Sequence, residues 1–379
     1  DDVGTLKHRA QIALGVGRLR GRLLSSAGSV LDAAAPIKES PVQDGDVLTL
    51  HVSRQFPIQS SSRAFAAILG DGSVKAWGDA DFGGDSSPVQ DQLKNVQQIQ
   101  ATDAAFAAIL GDGSVVTWGD DGSGGDGSAL QDQLKNVQQI QLKNMRQIQA
   151  TLGAFAAILG DGAVVTWGNA RAGGDSSAVQ DQLRSVQQIQ ATHEAFAAIL
   201  GDGSVVTWGG ADFGGDSSAV QDQLKNVQQI QASGHAFAAI LPDGSVVTWG
   251  VQDSGGDSRT VQDKLRNVQQ IQATACAFAA ILDDGSVATW GDPAYGGDSS
   301  AVQDQLQNVQ HIQASDFAFA AILDDGSVVT WGSASHGGDS SAVQGKLKNV
   351  QDIQASDFAF TAILDDGSVM TWGYLHGQD

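Results

Sequence analysis

Residues 95–135 read NVQQIQATDAAFAAILGDGSVVTWGDDGSGGDGSALQDQLK, and this stretch decides the fold because the chain repeats it. Every tryptophan of the 379-residue protein precedes a glycine, and consecutive Trp-Gly pairs lie 41 residues apart except for one gap of 49. A fixed period of this size indicates one supersecondary unit copied in tandem. The eight tryptophans are Trp77, Trp118, Trp167, Trp208, Trp249, Trp290, Trp331 and Trp372.

Each copy is predicted to contain a β-hairpin. The apolar runs AFAAIL and SVVTW flank Gly-Asp-Gly, and Asp-Gly between two apolar runs is a strong hairpin signal. One copy has Pro242 before Asp243-Gly244, where proline fits a turn and would end a helix. Because both faces of AFAAIL are apolar, we expect these strands to be covered on both sides, as a sheet between two other sheets would be.

The remaining segments of the repeat are less distinctive. VQQIQA leads straight into the hairpin and is predicted to be a strand, although the spacing of Val96 and Ile99 also fits an amphipathic helix and hence an α/β solenoid. AVQDQL is predicted to be a short extended or turn segment. The 49-residue gap comes from a duplication, LKNVQQIQ at 134–141 and LKNMRQIQ at 142–149, which predicts a bulged loop or an extra strand edge.

Charge and composition exclude several classes of function. The net charge is −22, and residues 51–379 carry all of it, because residues 1–50 hold six basic and six acidic residues. An acidic surface repels nucleic acid and anionic lipid and favours a protein partner with a basic or mixed surface. No apolar run reaches the roughly 18 residues of a membrane span, so a soluble chain without direct membrane insertion is expected. The compartment stays unknown, with cytoplasm or nucleus as the default, and an upstream targeting segment is left open.

These motifs resemble the repeats of the regulator of chromosome condensation (alpha-tubulin suppressor-like) family of β-propellers. The resemblance rests on the V-x-x-I strand, the small-residue strand before Asp-Gly, the V-x-x-W-G strand and the glycine pair after it, over residues 53–379. It implies an all-β fold, a β-propeller of seven or eight blades. The family typically has seven blades, whereas this chain has eight hairpins and shorter copies. A strand within residues 41–52 is a candidate to complete the last blade.

Residues 1–52 are predicted to form a separate small unit. Residues 3–52 resemble a partial ubiquitin-like (β-grasp) fold without its first hairpin, with VGTLKHRAQIALGV as a helix and with GRLLSS and DGDVLTLHV as strands. The resemblance implies that Leu24 belongs to a ubiquitin-like hydrophobic patch, although His51 occupies the neighbouring patch position. A small cap on the propeller is the alternative. Conjugation to a target is not expected, because the segment lacks a terminal Gly-Gly and runs on into the repeats.

Two stretches vary among otherwise similar copies: the two residues before each AF and the four residues after each Trp-Gly. Antiparallel strand order places both stretches at one end of the blade and the constant Asp-Gly turns at the other. Loops on a rigid scaffold commonly carry binding, and aromatic anchors among charges resemble an interface hot spot, with neutral drift as the alternative. The candidate partner-binding residues are Phe82, Phe213, Tyr295, Phe317, Phe358, Tyr374, Asp81, Asp103, Asp212 and Glu194.

The sequence predicts no catalytic site, metal site or cofactor. The recurring GGDSS reads as turn chemistry rather than a hydrolase motif, and neither a G-x-S-x-G elbow nor a phosphate-binding GKS/GKT loop occurs. His193 and His235 occupy equivalent loops of adjacent copies but lack a third ligand, and calcium at the Asp-Gly turns is less favoured than turn stabilisation. Cys276 is the single cysteine, and its sequence neighbours do not mark it as a nucleophile.

The sequence therefore predicts a non-catalytic protein-protein interaction scaffold that binds a partner through the variable loops. The resemblance implies two alternatives, a guanine-nucleotide exchange factor for a small GTPase and the substrate-recognition part of a ubiquitin ligase system. Light sensing, as in the plant ultraviolet-B photoreceptor, would need arginines beside the tryptophans, and none recurs beside Trp-Gly. Membership of a larger assembly is left open.

Overall fold

The computed structural model describes residues 58–127 and 147–374, together with the backbone of two strands near the N-terminus. These are β1 (Gly21–Leu24) and β2 (Thr49–Val52), which pair antiparallel as a separate two-stranded sheet. The proposal that a strand from residues 41–52 completes the last blade is therefore wrong, because Thr49–Val52 pairs with Gly21–Leu24 instead. The predicted helix and the duplicated residues 134–146 lie outside the described residues. The ubiquitin-like assignment of residues 1–52 stays a prediction.

The repeat folds as a three-stranded antiparallel sheet, and eight such sheets follow one another along the described chain. VQQIQA, AFAAIL and VVTWG form the first, second and third strands, so the strand interpretation of VQQIQA is confirmed and the helical solenoid is wrong. The described residues contain only strands and short 3-10 turns. In each hairpin the register places phenylalanine opposite tryptophan, as in Phe106 with Trp118.

The eight sheets are the blades of the fold. Their strands are blade 1, β3 (Ile58–Ser60), β4 (Ala64–Ile68), β5 (Val74–Gly78); blade 2, β6 (Val96–Ala101), β7 (Ala105–Leu110), β8 (Val115–Gly119); blade 3, β9 (Gln147–Ala150), β10 (Ala154–Ile158), β11 (Val164–Gly168); blade 4, β12 (Val186–Ala191), β13 (Ala195–Leu200), β14 (Val205–Gly209); blade 5, β15 (Gln229–Ala232), β16 (Ala236–Ile240), β17 (Val246–Gly250); blade 6, β18 (Val268–Ala273), β19 (Ala277–Leu282), β20 (Val287–Gly291); blade 7, β21 (Val309–Ala314), β22 (Ala318–Leu323), β23 (Val328–Gly332); blade 8, β24 (Val350–Ala355), β25 (Ala359–Leu364), β26 (Val369–Gly373).

The blades radiate from a common axis. Each blade's first strand lies against the first strand of the next blade, from β3 beside β6 to β21 beside β24. The loops that follow these first strands line one pocket, to which all eight blades contribute. The first strand is therefore the innermost strand, and the blades diverge outward. This arrangement is a β-propeller of eight blades, and it resolves the choice between seven and eight.

Neighbouring blades pack through two unlike sides. We call the side of a blade that carries its phenylalanine and tryptophan the aromatic side, and the side that carries the first and third residues of AFAAIL the alanine side. At the joint between blades 1 and 2, Ala64 and Ala66 pack in one buried cluster with Phe106 and Trp118. Small alanines let the sheets approach closely, and each fully buried large side chain contributes roughly 1.5–3 kcal/mol. The same pairing recurs at all seven joints between consecutive blades.

The recurring tryptophan also ties each blade to the one before it. From Trp118 to Trp372, the indole N–H donates to a glycine carbonyl of the preceding blade at 3.0–3.2 Å. The carbonyl that accepts from Trp208 belongs to Gly173, whose φ of +94° and close approach to the Phe196 ring leave no room for a side chain. The first glycine of the GG pair is thus required by both the turn and the joint.

Where the structure describes the segment after the third strand, that segment forms turns and contains no fourth strand. A 3-10 turn follows the Trp-Gly pair in seven blades, at Ala80–Phe82, Asp121–Ser123, Ala170–Ala172, Ala211–Phe213, Gln252–Ser254, Pro293–Tyr295 and Ala334–His336. The described AVQDQL segments fold as turns, with short 3-10 stretches at Ser87–Val89, Gln303–Gln305 and Gln344–Lys346, as the sequence predicted. Among the described residues, no helix is long and apolar enough to cross a membrane.

Candidate functional site

The first variable stretches of all eight blades meet around the axis. In the first seven stretches, a backbone N–H donates to a carbonyl in the stretch of the next blade, with N···O distances of 2.8–3.1 Å. This ladder runs from Ser62 to Asp103, Leu152, His193, Gly234, Ala275, Asp316 and Asp357. The same residues line an axial pocket of about 470 Å³. The ladder fixes the backbone, so what differs from blade to blade is the side chain.

The second variable stretch lies beside the first in every blade. The residue after each Trp-Gly donates its N–H to the carbonyl of the second residue of the first stretch, for example Asp79 to Arg63 at 3.0 Å and Tyr374 to Phe358 at 2.9 Å. All eight blades make this bond at 2.7–3.0 Å. Both stretches therefore lie at one end of the propeller, which we call the variable face. The Asp-Gly turns form the opposite end, which we call the constant face.

Blades 6 to 8 carry a continuous set of aromatic rings on the variable face. Phe317 is central: its ring centroid lies 5.0 Å from Tyr295, 4.6 Å from His336 and 5.7 Å from Phe358. Phe358 lies in turn 6.5 Å from Tyr374 in an edge-to-face arrangement. We call these five residues the aromatic row. The row thus forms one surface across three blades, although Tyr295 of blade 6 and Tyr374 of blade 8 are far apart in sequence.

A second group of rings lies on blades 4 and 5. The His193 and His235 rings meet edge to face at 4.7 Å, and Phe213 lies 5.3 Å from His235. Burial, followed by the neighbouring His235, holds the pKa of His193 below its usual value, which favours a neutral ring. Cys276 Sγ lies 3.6 Å from His235 Nδ1, yet burial raises the pKa of this thiol. The raised pKa opposes formation of a reactive thiolate.

The other predicted residues lie on blades 1, 2 and 4. Phe82 lies under the Arg63 guanidinium, whose Cζ is 4.8 Å from the ring centroid. Asp103 is exposed at the rim of the axial pocket, and Glu194 is half-buried beside the same loop ladder. Asp81 and Asp212 are exposed in the 3-10 turns of their blades. The structure therefore joins four of the six predicted aromatics in the aromatic row and leaves Phe82 and Phe213 in separate settings.

Several residues of the variable face were not among the predicted site residues. His336 joins the aromatic row, Arg63 covers Phe82, and Leu152 exposes 40% of its surface at the axis. Asp316 is an exposed residue that lines the axial pocket. Partial desolvation, followed by repulsion from Asp357, raises the pKa of Asp316 to about 6. Each of these residues lies in a variable stretch, so the sequence offered a signal for all four. Selection of aromatic and acidic residue types passed over His336, Arg63 and Leu152, and Asp316 was left out although it is acidic.

The constant face and the GGDSS segments have structural explanations. In the Asp-Gly turn of blade 4, Asp202 Oδ1 accepts from the Ser204 hydroxyl at 2.6 Å and from its N–H at 2.9 Å, and these bonds lower the pKa of Asp202. The first serine of GGDSS is buried: Ser217 donates to Gln221 Oε1 at 2.8 Å, and Gln221 Nε2 donates to the Val205 carbonyl at 3.0 Å. These bonds hold the segment that follows GGDSS against the third strand of the blade, which accounts for the recurrence of GGDSS.

The structure adds no metal ligand to the two histidines, and it describes only the backbone of the ubiquitin-like candidate Leu24. Within residues 58–127 and 147–374, no group of three or more His, Cys, Asp or Glu side chains is placed to hold a metal ion. The backbone of Leu24 lies in β1, opposite Thr49, and its role in a docking patch stays a prediction. The class of protein that the described residues define is an eight-bladed β-propeller with a variable and a constant end.

Comparisons with known proteins found similarity among solved structures. No protein-family model matches the chain, and no curated protein matches it. Solved propellers do match. Prp20p, the RCC1 protein of Saccharomyces cerevisiae, is 15% identical with a TM-score of 0.43, covering 74% of this chain and 83% of its own. Human WBSCR16 is 14% identical with a TM-score of 0.40, covering 89% and 96%. The computationally designed Ika8 protein is 14% identical with a TM-score of 0.40, covering 85% and 97%. The chain thus resembles propellers of the regulator of chromosome condensation type, and at these identities the likeness is one of fold.

Proposed function

We propose that this protein is a non-catalytic scaffold that binds a protein partner through the variable face. The single observation that carries the proposal is the aromatic row, in which side chains from three consecutive blades form one surface on loops whose backbone is held by the axial ladder. Large aromatic side chains on a rigid support are characteristic anchors of protein interfaces. The rest of the fold repeats, so differences at this face are where recognition can be encoded.

The charge of the protein indicates the chemistry of the partner. The net charge is −22, and Asp316 and Asp357 stand next to the aromatic row at the axis. A partner segment with basic groups would find aromatic surface and carboxylates together, and its association would be steered by the acidic field. Prp20p is described with binding to Gsp1p and histones. Since that likeness is of fold alone, the proposal here rests on the variable face of this chain.

The test is partner capture with matched variants. Phe317→Ala and Phe358→Ala remove the centre of the aromatic row, whereas Pro242→Ala alters an exposed residue of the constant face. We expect the parent and Pro242→Ala to capture the same proteins in similar amounts. Phe317→Ala should capture at least about tenfold less of them, which is the effect expected when an interface anchor is removed. Capture that is unchanged by both phenylalanine variants but lost with Pro242→Ala would place recognition on the other end of the propeller.

The captured partner also separates the alternatives implied by the family resemblance. If the captured partner is a GTPase, it can be loaded with labelled nucleotide and mixed with the propeller. Faster release of the nucleotide would identify this protein as an exchange factor. A partner that belongs to a ubiquitin ligase would indicate substrate recognition. A scaffold role predicts binding with no change in nucleotide release and no covalent ubiquitin on this chain.

A further inference from the structure

The two ends of the blade series expose surfaces that are buried at every internal joint. On the aromatic side of blade 1, Phe65 is 44% exposed and Trp77 is 40% exposed, while their blade 2 counterparts Phe106 and Trp118 are 0% and 4% exposed. Ile58 and Leu69 extend this apolar surface at 56% and 38%. On the alanine side of blade 8, Val369 is 55% exposed. A contiguous exposed apolar surface of this kind marks an interaction site.

The two exposed surfaces are the complementary halves of one joint. Within the chain, an aromatic side packs on the alanine side of the preceding blade seven times. Among the described residues, no blade covers the aromatic half on blade 1 or the alanine half on blade 8. The axial ladder ends in the same way, because among the described residues no backbone bond joins Asp357 to Ser62. In this structure the last blade does not complete a joint with the first.

Both halves differ from the internal copies at one position inside the joint. Lys75 on the aromatic side of blade 1 stands where the other blades have an apolar residue, for example Val116, which lies in the buried cluster of blades 1 and 2. Thr361 on the alanine side of blade 8 stands where every other blade has alanine, for example Ala66 in that same cluster. Each end therefore adds a polar group, and an ammonium would face the side that carries a hydroxyl. These replacements weaken the end joint relative to an internal one without removing its apolar surface.

We propose that a second copy of this chain occupies these ends, with the aromatic side of its blade 1 packed on the alanine side of blade 8. The occupant follows from the seven internal joints, which show that each surface fits the other, and from the exposure of both surfaces in one chain. Such a contact uses different surfaces on the two copies, so it is heterologous and allows head-to-tail assembly of more than two copies. The contact buries the sides of the two end blades, whereas the proposed partner site lies on the variable face.

The experiment measures molar mass of the full chain by sedimentation over a wide range of protein concentration. The parent is expected to gain mass with concentration. Trp77→Lys blocks the aromatic half and Val369→Lys blocks the alanine half, and each variant alone should lose this gain. A mixture of the two should form complexes of one copy of each and stop there, because each variant retains one intact half. Leu152→Lys, which changes an equally exposed apolar residue of the variable face, should behave as the parent.

A second variant avoids any change that could disturb folding. Lys75→Val with Thr361→Ala installs residues that the internal blades already carry, and it should raise the association constant by about tenfold or more. A parent that remains monomeric at all concentrations, or a mixture of the two blocked variants that fails to form complexes while both retain the parent's circular dichroism, would overturn the proposal. In the first case the ends are closed within one chain or covered by residues 1–57.

Discussion

The tryptophan of each repeat does two things at once, since it fills a joint with apolar surface and places a hydrogen-bond donor in that joint. Trp208 stacks on Phe196 with ring centroids 5.2 Å apart and donates to the Gly173 carbonyl at 3.0 Å. Phenylalanine at this position would keep an aromatic ring but leave the glycine carbonyl without its donor. The lost bond costs about 1 kcal/mol and the smaller ring about 1 kcal/mol more.

We therefore expect Trp208→Phe to lower the free energy of unfolding by about 2 kcal/mol, measured by urea unfolding monitored by circular dichroism. The matched control is Trp77→Phe. Trp77 also stacks on its phenylalanine, with centroids 5.6 Å apart, but it is 40% exposed and donates to no carbonyl among the described residues. Its replacement should cost less than half as much. Equal losses at both sites would mean that the indole bond contributes nothing.

Asp316 gives the variable face a pH dependence. Its pKa of about 6 lies above the value of 3.8 for an unperturbed aspartate, so the folded protein holds this proton more tightly than the unfolded chain. The contribution favours folding below about pH 4 and is lost as the pH rises to about 6. Because solvent screens a residue this accessible, we expect an effect of the order of 1 kcal/mol.

Asp316→Asn should accordingly be more stable than the parent at pH 7 and lose that advantage by pH 4, as measured by unfolding at a series of pH values. Asp357→Asn relieves the repulsion and should reproduce part of the gain. Asp325→Asn on the constant face serves as the contrast. The Ser327 hydroxyl lowers the pKa of Asp325, so that side chain contributes stability above its unfolded pKa, and its removal should destabilise the protein at pH 7. A parallel response of all three variants would contradict the assignment.

At the residue scale, the sequence could predict which side chains share the variable face but not which of them touch. Phe317 and Phe358 could be assigned to one end because strand order fixes the ends of a blade. Their contact with His336 depends on the 3-10 turn of blade 7, where the Ser333 hydroxyl lies 2.9 Å from His336 Nδ1. Such a bond follows from side-chain placement in three dimensions, and no repeat pattern encodes it. The Arg63–Phe82 contact escaped prediction for the same reason.

At the scale of the element, the blade depends on the segment that replaces a fourth strand. Gln221 bridges Ser217 and the backbone of the third strand in blade 4, and five other blades make the same pair of bonds through Gln90, Gln180, Gln262, Gln303 and Gln344. The sequence identified this segment as a turn from its composition. The glutamine bridge could not be inferred, because its partner carbonyl lies 16 residues away in the chain.

We expect Gln221→Ala to destabilise the protein by about 1–2 kcal/mol, because it removes two bonds of a partly buried network. Gln223→Ala, two residues further on, changes an exposed glutamine of the same segment and should lie within about 0.5 kcal/mol of the parent. Thermal unfolding followed by circular dichroism would compare the two. If Gln223→Ala proved the more costly change, the connecting segment would owe its order to contacts other than the glutamine bridge.

At the scale of the whole molecule, stability should follow position along the series of blades. Each internal blade is packed on both sides, whereas in the part of the chain that the structure describes no blade covers the aromatic side of blade 1 or the alanine side of blade 8. In repeat architectures, stability is approximately a sum of unit and nearest-neighbour terms, so the end units open most readily. The sequence predicted eight hairpins in seven or eight blades and left closure of the ring open. It could not show which sides of the blades are exposed, since the motif residues of blade 1 are nearly those of blade 4.

Hydrogen exchange monitored by mass spectrometry would measure this gradient directly. At low protein concentration, amides of β5 (Val74–Gly78) and β26 (Val369–Gly373) should exchange faster than those of β14 (Val205–Gly209), which lies between two joints. At high concentration, a head-to-tail joint would protect β5 and β26 together, while β14 would stay unchanged. Uniform slow exchange in all three strands at low concentration would show instead that the first and last blades complete the joint within one chain, because only a closed ring makes every blade an internal one.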